Sequence, residues 1–162
     1  MKNEETNFLK EIHLYINSFI NKGICIEYFM WLKANGKLFT RIETTHELFS
    51  ESLLTKCKQH ECFQNSKQIT IKNKNINYYE GIASVYGSFY EHAWNEHKGA
   101  VLDFTCKQFN LTHHISYLFG APILFYSNKE YLSNTKRTSE NDLIFQTNNP
   151  NYFYLKQTIN NI

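Results

Sequence analysis

The sequence predicts an α+β fold in which helices pack on one antiparallel β-sheet. Segments with helical spacing of apolar residues dominate residues 4–69, and three strand-like segments, divided by glycine-containing turns, follow in residues 78–105. Hydrophobic residues make up 42% of the chain and aromatic residues 16%, which suits a packed core and argues against disorder. We therefore expect a folded domain that contains both element types.

The length of 162 residues suits a single domain, and neither a repeat nor a separating linker divides the chain. Residues 1–57 are predicted to form a mainly helical N-terminal part, and residues 58–125 a core that carries the functional side chains. Residues 126–162 are predicted to form a C-terminal helix followed by a polar tail rich in asparagine.

Three helices and one short strand are predicted in the N-terminal part. Residues 4–20 place apolar side chains at the spacing of an amphipathic helix. Residues 24–43 favour a helix that ends at Gly36 and a short strand after it, although Asn35-Gly36 is also typical of a hairpin between two strands. Thr45 is predicted to start a further helix that reaches about Cys57.

The core is predicted to contain one helix and an antiparallel sheet. The segment CFQNSKQI, residues 62–69, has the pattern of a helix, and a polar turn follows it. The segments YYEGIASVYG, FYEHAWNEH and AVLDFT within residues 78–105 are predicted to form a three-stranded antiparallel meander. Residues 110–126 are aromatic and apolar, and we expect them to close the core as a strand or loop.

The second and third of these strands bring a histidine opposite an aspartate. If their hairpin is centred between His97 and Lys98, then His92 faces Asp103 and Trp94 faces Val101. A carboxylate on one ring nitrogen sets the tautomer of an imidazole and stabilises its cation, which leaves the other nitrogen for proton exchange. The tryptophan is expected to pack in the core, where it shapes the pocket and keeps it dry.

Cys62 is the nucleophile that such a histidine could serve. It precedes a predicted helix, where unpaired backbone N–H groups and the positive end of the helix dipole favour a thiolate. A nearby imidazolium would lower the pKa of a thiol further, from about 8.5 into a range of about 3.5 to 7.5. The reacting residues would then follow one another along the chain in the order Cys, His, Asp.

This order resembles the core of the transglutaminase-like superfamily, within the papain-like cysteine enzymes. The resemblance covers residues 59–119 and rests on Cys62-Phe63 at a helix start, a strand with Gly81, the strand His92-Ala93-Trp94 and the segment Val101-Leu102-Asp103-Phe104-Thr105. It implies an α+β core in which the helix of the nucleophile packs on the sheet. It also implies a triad with Cys62 as nucleophile, His92 as general base and acid, and Asp103 as orienting carboxylate.

The sequence departs from the family pattern in three places. Phe104 stands where a proline is common, and His60-Glu61 stand where a small residue often precedes the cysteine. Lys56 occupies the position of the glutamine that completes the oxyanion site of papain-like enzymes. The backbone N–H of Cys62 is expected to be one oxyanion donor. The candidates for the second donor are three amide side chains, Gln59, Gln64 and Asn65.

Together these features predict a thiol enzyme that attacks an amide or peptide carbonyl and forms an acyl-enzyme intermediate. Transfer of the acyl group to water would make it a peptidase or a glutamine deamidase, and transfer to an amine would make it a transglutaminase. A protein or peptide substrate is expected, and no cofactor. The alternative is a non-catalytic protein-binding module on the same fold, with a remnant triad.

Charge and composition argue against other partners. The net charge is only +2 and no long run of one sign occurs, so neither nucleic acid nor a membrane is expected as a partner. The charged N-terminus lacks the pattern of a signal peptide and no apolar window could span a bilayer, so we expect a cytoplasmic protein and leave specialised export open. The 4 cysteines are unevenly spaced and are expected to be reduced. The oligomeric state is left open.

A zinc site is the weaker alternative, and no metal is expected. Cys57, His60 and Cys62, together with His113-His114, contain enough ligands for zinc, but their spacing is not that of a paired zinc motif. The remaining cysteines, Cys25, Cys57 and Cys106, are interpreted as structural thiols.

Overall fold

The computed structural model describes residues 2–73 and 75–122, which form a five-stranded sheet with helices packed against it. The helices are α1 (Lys2–Asn21), α2 (Ile26–Asn35), α3 (Glu51–Leu54), α4 (Cys62–Lys72) and α5 (Phe104–Gln108), and a 3-10 turn spans Thr112–His114. The strands are β1 (Lys37–Phe39), β2 (Asn77–Val85), β3 (Ser88–His97), β4 (Ala100–Leu102) and β5 (Ile115–Pro122). Neighbouring strands are antiparallel, in the order β1-β5-β2-β3-β4. The predicted α+β class with an antiparallel sheet is confirmed.

Two tight turns of the same kind build the centre of the sheet. Tyr86-Gly87 joins β2 to β3, Lys98-Gly99 joins β3 to β4, and both residues of each turn have positive φ. This is the backbone conformation of a type I′ turn, whose twist matches that of the paired strands. Glycine at the second position of both turns adopts it without steric cost.

The first two helices cover one face of the sheet with an apolar core. Phe8, Ile12 and Ile16 of α1 recur at helical spacing as predicted, and they are buried in one cluster with Phe29 of α2 and Ile82 of β2. The predicted helix followed by a short strand is confirmed by α2 and β1, so the alternative hairpin does not form. In the part of the chain that the structure describes, no helix is long and apolar enough to cross a membrane.

The helix predicted from Thr45 to Cys57 is wrong in its extent, because only α3 forms within it. The ring of His46 accepts a hydrogen bond from the backbone N–H of Leu48 through Nδ1, at 3.2 Å. This local bond competes with helical hydrogen bonding and holds the chain in a turn ahead of α3.

The third strand of the predicted meander is also shorter than expected. β4 ends at Leu102, and Asp103 accepts a hydrogen bond from the backbone N–H of Cys106 through Oδ1, at 2.9 Å. Asp103 is therefore the N-cap of α5, since an aspartate at this position pairs a free N–H of the first helical turn. The prediction of a strand through Thr105 is wrong for this reason.

The register of β3 and β4 differs from the predicted one by two residues. The hairpin turns at Lys98-Gly99, because both residues of the turn take the positive φ that glycine tolerates, and this is one residue later than predicted. The predicted direct pairings of His92 with Asp103 and of Trp94 with Val101 are therefore wrong. A shift of two residues leaves each side chain on its predicted face, so the histidine and aspartate become diagonal neighbours.

Helix α4 docks beside β3 through buried polar side chains. Ser66 donates its hydroxyl to the carbonyl of Ala93 at 3.2 Å. The amide of Asn95 donates to the Ser66 carbonyl at 3.0 Å and to the Thr70 hydroxyl at 2.9 Å. All of these side chains are buried, so the helix that begins at Cys62 is held against the strand that carries His92.

Strand β5 completes the described sheet. This strand pairs with both β1 and β2, and it confirms that part of residues 110–126 closes the core as a strand. Residues 123–126 and the predicted C-terminal helix and tail of residues 126–162 lie outside the described residues.

Candidate active site

His92 and Asp103 meet where β4 ends. The Nε2 atom of His92 lies 2.5 Å from Oδ2 of Asp103, so the ring nitrogen donates a short hydrogen bond to the carboxylate. The aspartate side chain is fully buried, and 12% of the histidine side chain is exposed. The structure thus brings together two of the three predicted catalytic side chains, as diagonal neighbours.

Both carboxylate oxygens of Asp103 are engaged. Oδ2 accepts from the His92 ring, and Oδ1 accepts from the backbone N–H of Cys106, at 2.9 Å. The second bond locks the carboxylate in place, because it belongs to the capped first turn of α5. The first bond uses Nε2 of the imidazole and therefore leaves Nδ1 for exchange of a proton with another group.

Opposite shifts in pKa follow from this pairing. Burial by itself lowers the pKa of His92, but the negative charge of Asp103, reinforced by Cys62 and by hydrogen bonds, holds it well above its ordinary value. Burial by itself raises the pKa of Asp103, but the charge and hydrogen bond of His92 lower it below its ordinary value. Each group thus stabilises the charged form of the other.

The position of Cys62 follows from how α4 runs along β3. Ser66 bonds to Ala93 and, one turn later, Thr70 bonds to Asn95. Four residues of helix advance about 6 Å and two residues of strand about 6.7 Å, so the two elements advance in step. Cys62 lies one turn before Ser66 and is therefore at the level of the strand residues that precede Ala93, which include His92.

Cys62 is the first residue of α4, and it is half-buried. A negative charge on Cys62 adds to the effect of Asp103 in raising the pKa of His92. Glu61, the residue before the helix, makes no side-chain cap. The first N–H groups of α4 therefore lack the side-chain acceptor that an N-cap would supply, and their positive partial charge favours an anion at this end of the helix.

Of the three amide side chains predicted as oxyanion donors, Asn65 is committed elsewhere. Its Nδ2 group donates to the carbonyl of Lys58 at 2.7 Å and to the hydroxyl of Thr105 at 2.9 Å, and its Oδ1 accepts from the N–H of Lys58 at 3.1 Å. Both amide hydrogens are thereby used to tie the loop before Cys62 to α5. Gln59 is exposed and Gln64 is half-buried.

Trp94 lies beside the site as predicted. It is fully buried, and its ring stacks with that of His92, with 6.3 Å between centroids, and with that of Tyr79, with 5.9 Å. The close approach of the indole to β5 requires glycine at position 120, because a Cβ atom there would clash with Cη2 of Trp94. The tryptophan thus forms a buried aromatic wall beside the imidazole.

Cys106 is the residue near the site that sequence reasoning missed. The sequence predicts a structural thiol at this position, yet the sulfur lies within 4.8 Å of the ligand atoms of both His92 and Asp103. Burial raises the pKa of the Cys106 thiol to about 11, and its hydrogen bond to His92 opposes that rise. The available signal was the spacing: a residue three positions after an N-cap aspartate places its N–H on the capping carboxylate.

The residues of the zinc alternative are not brought together. Within residues 2–73 and 75–122, the His, Cys, Asp and Glu side chains that come within mutual reach in groups of three or more are His92, Asp103 and Cys106. Cys57 is buried and donates to the carbonyl of Leu53 at 3.6 Å, and burial raises its pKa to about 11. It therefore behaves as a structural thiol.

Comparisons with protein-family models, with curated proteins and with solved structures found no match to this chain.

Proposed function

We propose that the chain is a thiol enzyme with a transglutaminase-like core, in which Cys62, His92 and Asp103 act on an amide or peptide carbonyl. The observation that carries the proposal is the 2.5 Å bond between His92 Nε2 and Asp103 Oδ2, because His92 belongs to the strand against which the helix that begins with Cys62 is docked. This bond leaves Nδ1 of an oriented imidazole to receive the thiol proton. The docking of α4 against β3 supports the same core arrangement.

In the proposed reaction, Nδ1 of His92 takes the proton of the Cys62 thiol, and the thiolate attacks the carbonyl carbon of the substrate. The carbonyl π electrons move to the oxygen, and the backbone N–H groups at the start of α4 stabilise the resulting oxyanion. When the tetrahedral intermediate collapses, the C–N bond breaks and His92 gives its proton to the leaving amine or ammonia. The product of this half-reaction is a thioester on Cys62.

The second half-reaction transfers the acyl group from Cys62 to water or to an amine. His92 removes a proton from water or an amine, which attacks the thioester carbon. The C–S bond then breaks, and His92 returns the proton to the sulfur of Cys62. Attack by water on a peptide acyl group gives peptidase activity, and attack by water on a glutamine acyl group gives deamidation. Attack by a lysine amine on the glutamine acyl group gives transamidation. None of these routes requires a cofactor, and all three take a protein or peptide substrate.

The test is the rate of iodoacetamide labelling at each cysteine against pH, read by peptide mass spectrometry. The parent is compared with His92→Ala and with His97→Ala, the matched control, because His97 is the other histidine of β3, and it is buried and bonds to the Asn75 carbonyl. An imidazole that accepts the thiol proton increases the fraction of thiolate, which is the form that iodoacetamide alkylates. We therefore expect labelling of Cys62 near pH 6 to be about tenfold faster in the parent and in His97→Ala than in His92→Ala.

Equal and slow labelling of Cys62 in all three proteins would contradict the proposal. The chain would then fit a non-catalytic binding module whose triad is a remnant. Given a reactive Cys62, the expectation is that Cys62→Ala and His92→Ala abolish turnover of peptide or glutamine amides while the fold is retained.

A further inference from the structure

We infer that the free edge of β3 beside His92 binds the backbone of an extended polypeptide, so that the substrate is recognised as an added strand. This rests on the proposed function, because it assigns the substrate class of the same site. Under this inference, the substrate is a peptide chain and not a free amino acid amide or another small amide.

Strand β4 covers only part of the outer edge of β3. It pairs with Asn95, Glu96 and His97, whereas β3 itself begins at Ser88. Over residues 88–94 no strand of the described part pairs with this edge. Unpaired strand edges present rows of N–H and C=O groups that pair readily with another extended chain.

The two tight turns determine which backbone groups point outwards. A pair that flanks a two-residue hairpin turn exchanges both of its backbone hydrogen bonds. Val85 and Ser88 flank the first turn, so alternate residues from Ser88 onwards bond to β2. The residues between them, Phe89, Glu91 and Ala93, present their backbone groups to the outer side. The hydroxyl of Ser66 on the Ala93 carbonyl agrees with this assignment, since that carbonyl must point outwards to receive it.

Phe89 and Glu91 therefore offer backbone N–H and C=O groups at the edge. Among the described residues, these groups make no backbone hydrogen bond to a turn, a loop or β4. The ring of Phe89 packs against Phe8, with centroids 5.9 Å apart, and Tyr15, with centroids 5.0 Å apart, so the edge is anchored to α1. A rigid edge binds an extended chain at a lower entropic cost than a mobile one.

The edge leads directly to the reacting groups. Glu91 precedes His92, and the in-step bonds of Ser66 with Ala93 and of Thr70 with Asn95 put Cys62, one turn earlier, at the level of the strand residues before Ala93. A peptide paired with Phe89 and Glu91 would therefore carry its next residues past the thiol and the imidazole. Main-chain bonds would provide the affinity, and every second side chain of the peptide would face the side of the sheet that bears Tyr90, which is 56% exposed.

The experiment compares two reagents with the same reactive group. One is iodoacetamide, and the other is a tetra-alanine amide that carries an iodoacetyl group on its N-terminus. We expect Cys62 to be labelled about tenfold faster by the peptide, as one or two backbone hydrogen bonds at the edge would give. A scan with single N-methyl groups on the peptide nitrogens should remove this advantage at alternate positions, because an added strand bonds through every second residue.

Two variants of the chain give a matched pair. Glu91→Pro lacks the outward N–H, and its ring is compatible with an edge position, so the ratio of peptide to iodoacetamide rates is expected to fall. Glu91→Ala keeps the N–H and is expected to keep the ratio. Thermal unfolding checks the fold, and if Glu91→Pro does not fold, the N-methyl scan on the parent decides.

The outcomes separate this inference from the proposed function. Suppose that Cys62 reacts quickly with iodoacetamide and that this reactivity depends on His92. If Cys62 then shows no preference for the peptide, or loses the preference equally at every methylated position, peptide binding at the edge is overturned and the proposed function is not. A Cys62 that is inert to both reagents overturns both.

Discussion

Asp103 holds the ring of His92 with one carboxylate oxygen and caps helix α5 with the other. The orientation of the candidate general base is thereby coupled to the start of a helix. Such an arrangement needs an acceptor at both oxygens, which among the side chains only a carboxylate supplies. The pair therefore has separable effects on reactivity and on stability.

Replacement of Asp103 should separate these effects. Asn offers one acceptor oxygen, so Asp103→Asn can keep the cap only by turning its NH2 group towards His92, which reverses the tautomer of the ring. We expect labelling of Cys62 near pH 6 to fall about tenfold while the cap persists. Asp103→Ala should lose the cap as well, at a further cost of about 1 kcal/mol in the free energy of unfolding. Urea denaturation and alkylation rates check both variants, and equal stabilities of Asn and Ala would contradict the capping role.

The contribution of this pair to stability should depend on pH in a defined window. The raised pKa of His92 gives stability that is fully present below the unfolded value of about 6.5 and is lost as pH rises through the folded pKa. The lowered pKa of Asp103 gives stability that is present above the unfolded value of about 3.9 and is lost as pH falls through the folded pKa. The excess stability of the parent over Asp103→Asn should therefore be largest between these two unfolded values.

The measurement is urea denaturation of both proteins over a pH series. If the stability of the parent relative to Asp103→Asn grows steadily as pH rises above neutrality, then the aspartate does not hold the imidazole in its cationic form.

Asn95 should control the docking of α4. Its buried amide donates to the Ser66 carbonyl and the Thr70 hydroxyl, and Asn95→Ala leaves both acceptors buried without this donor. Each unsatisfied buried group costs about 1–3 kcal/mol, so we expect a loss of about 3 kcal/mol in the free energy of unfolding. Tyr90→Ala on the same strand is the control, because Tyr90 is exposed. The two variants are compared by urea denaturation, and a loss no larger than that of the control would refute the docking role.

Gly120 should be essential for the position of Trp94. In Gly120→Ala the added Cβ would clash with the indole and lie 2.6 Å from the Glu80 carbonyl oxygen. Overpacking of this kind costs about 1–3 kcal/mol, and the near-UV circular dichroism of the tryptophan should change with it. Ser116→Ala, at an exposed position of the same strand, should alter neither signal. A native-like spectrum in Gly120→Ala would show that the indole does not depend on this glycine.

Much of the local structure could be predicted from the residues alone. Phe8, Ile12 and Ile16 recur at helical spacing and are the residues that α1 buries. The ends of the strand segments could be predicted from the glycines, because type I′ turns need residues with positive φ and glycine adopts it readily. The side of the sheet on which His92 and Asp103 lie could be predicted from the two-residue period of strands. The prediction is correct although the register differs by two residues, because a shift of two residues leaves each side chain on the same face.

The contacts within the site were decided only by the tertiary structure. Whether Asp103 continues a strand or caps a helix depends on where β4 stops, and that in turn depends on which residue of the hairpin takes the turn. Cys106 comes near His92 through the capped turn of α5, and the helix that begins with Cys62 is held against the strand of His92 through the docking of α4. These are contacts between residues far apart in the chain, and their energy comes from packing and buried hydrogen bonds that no local pattern encodes.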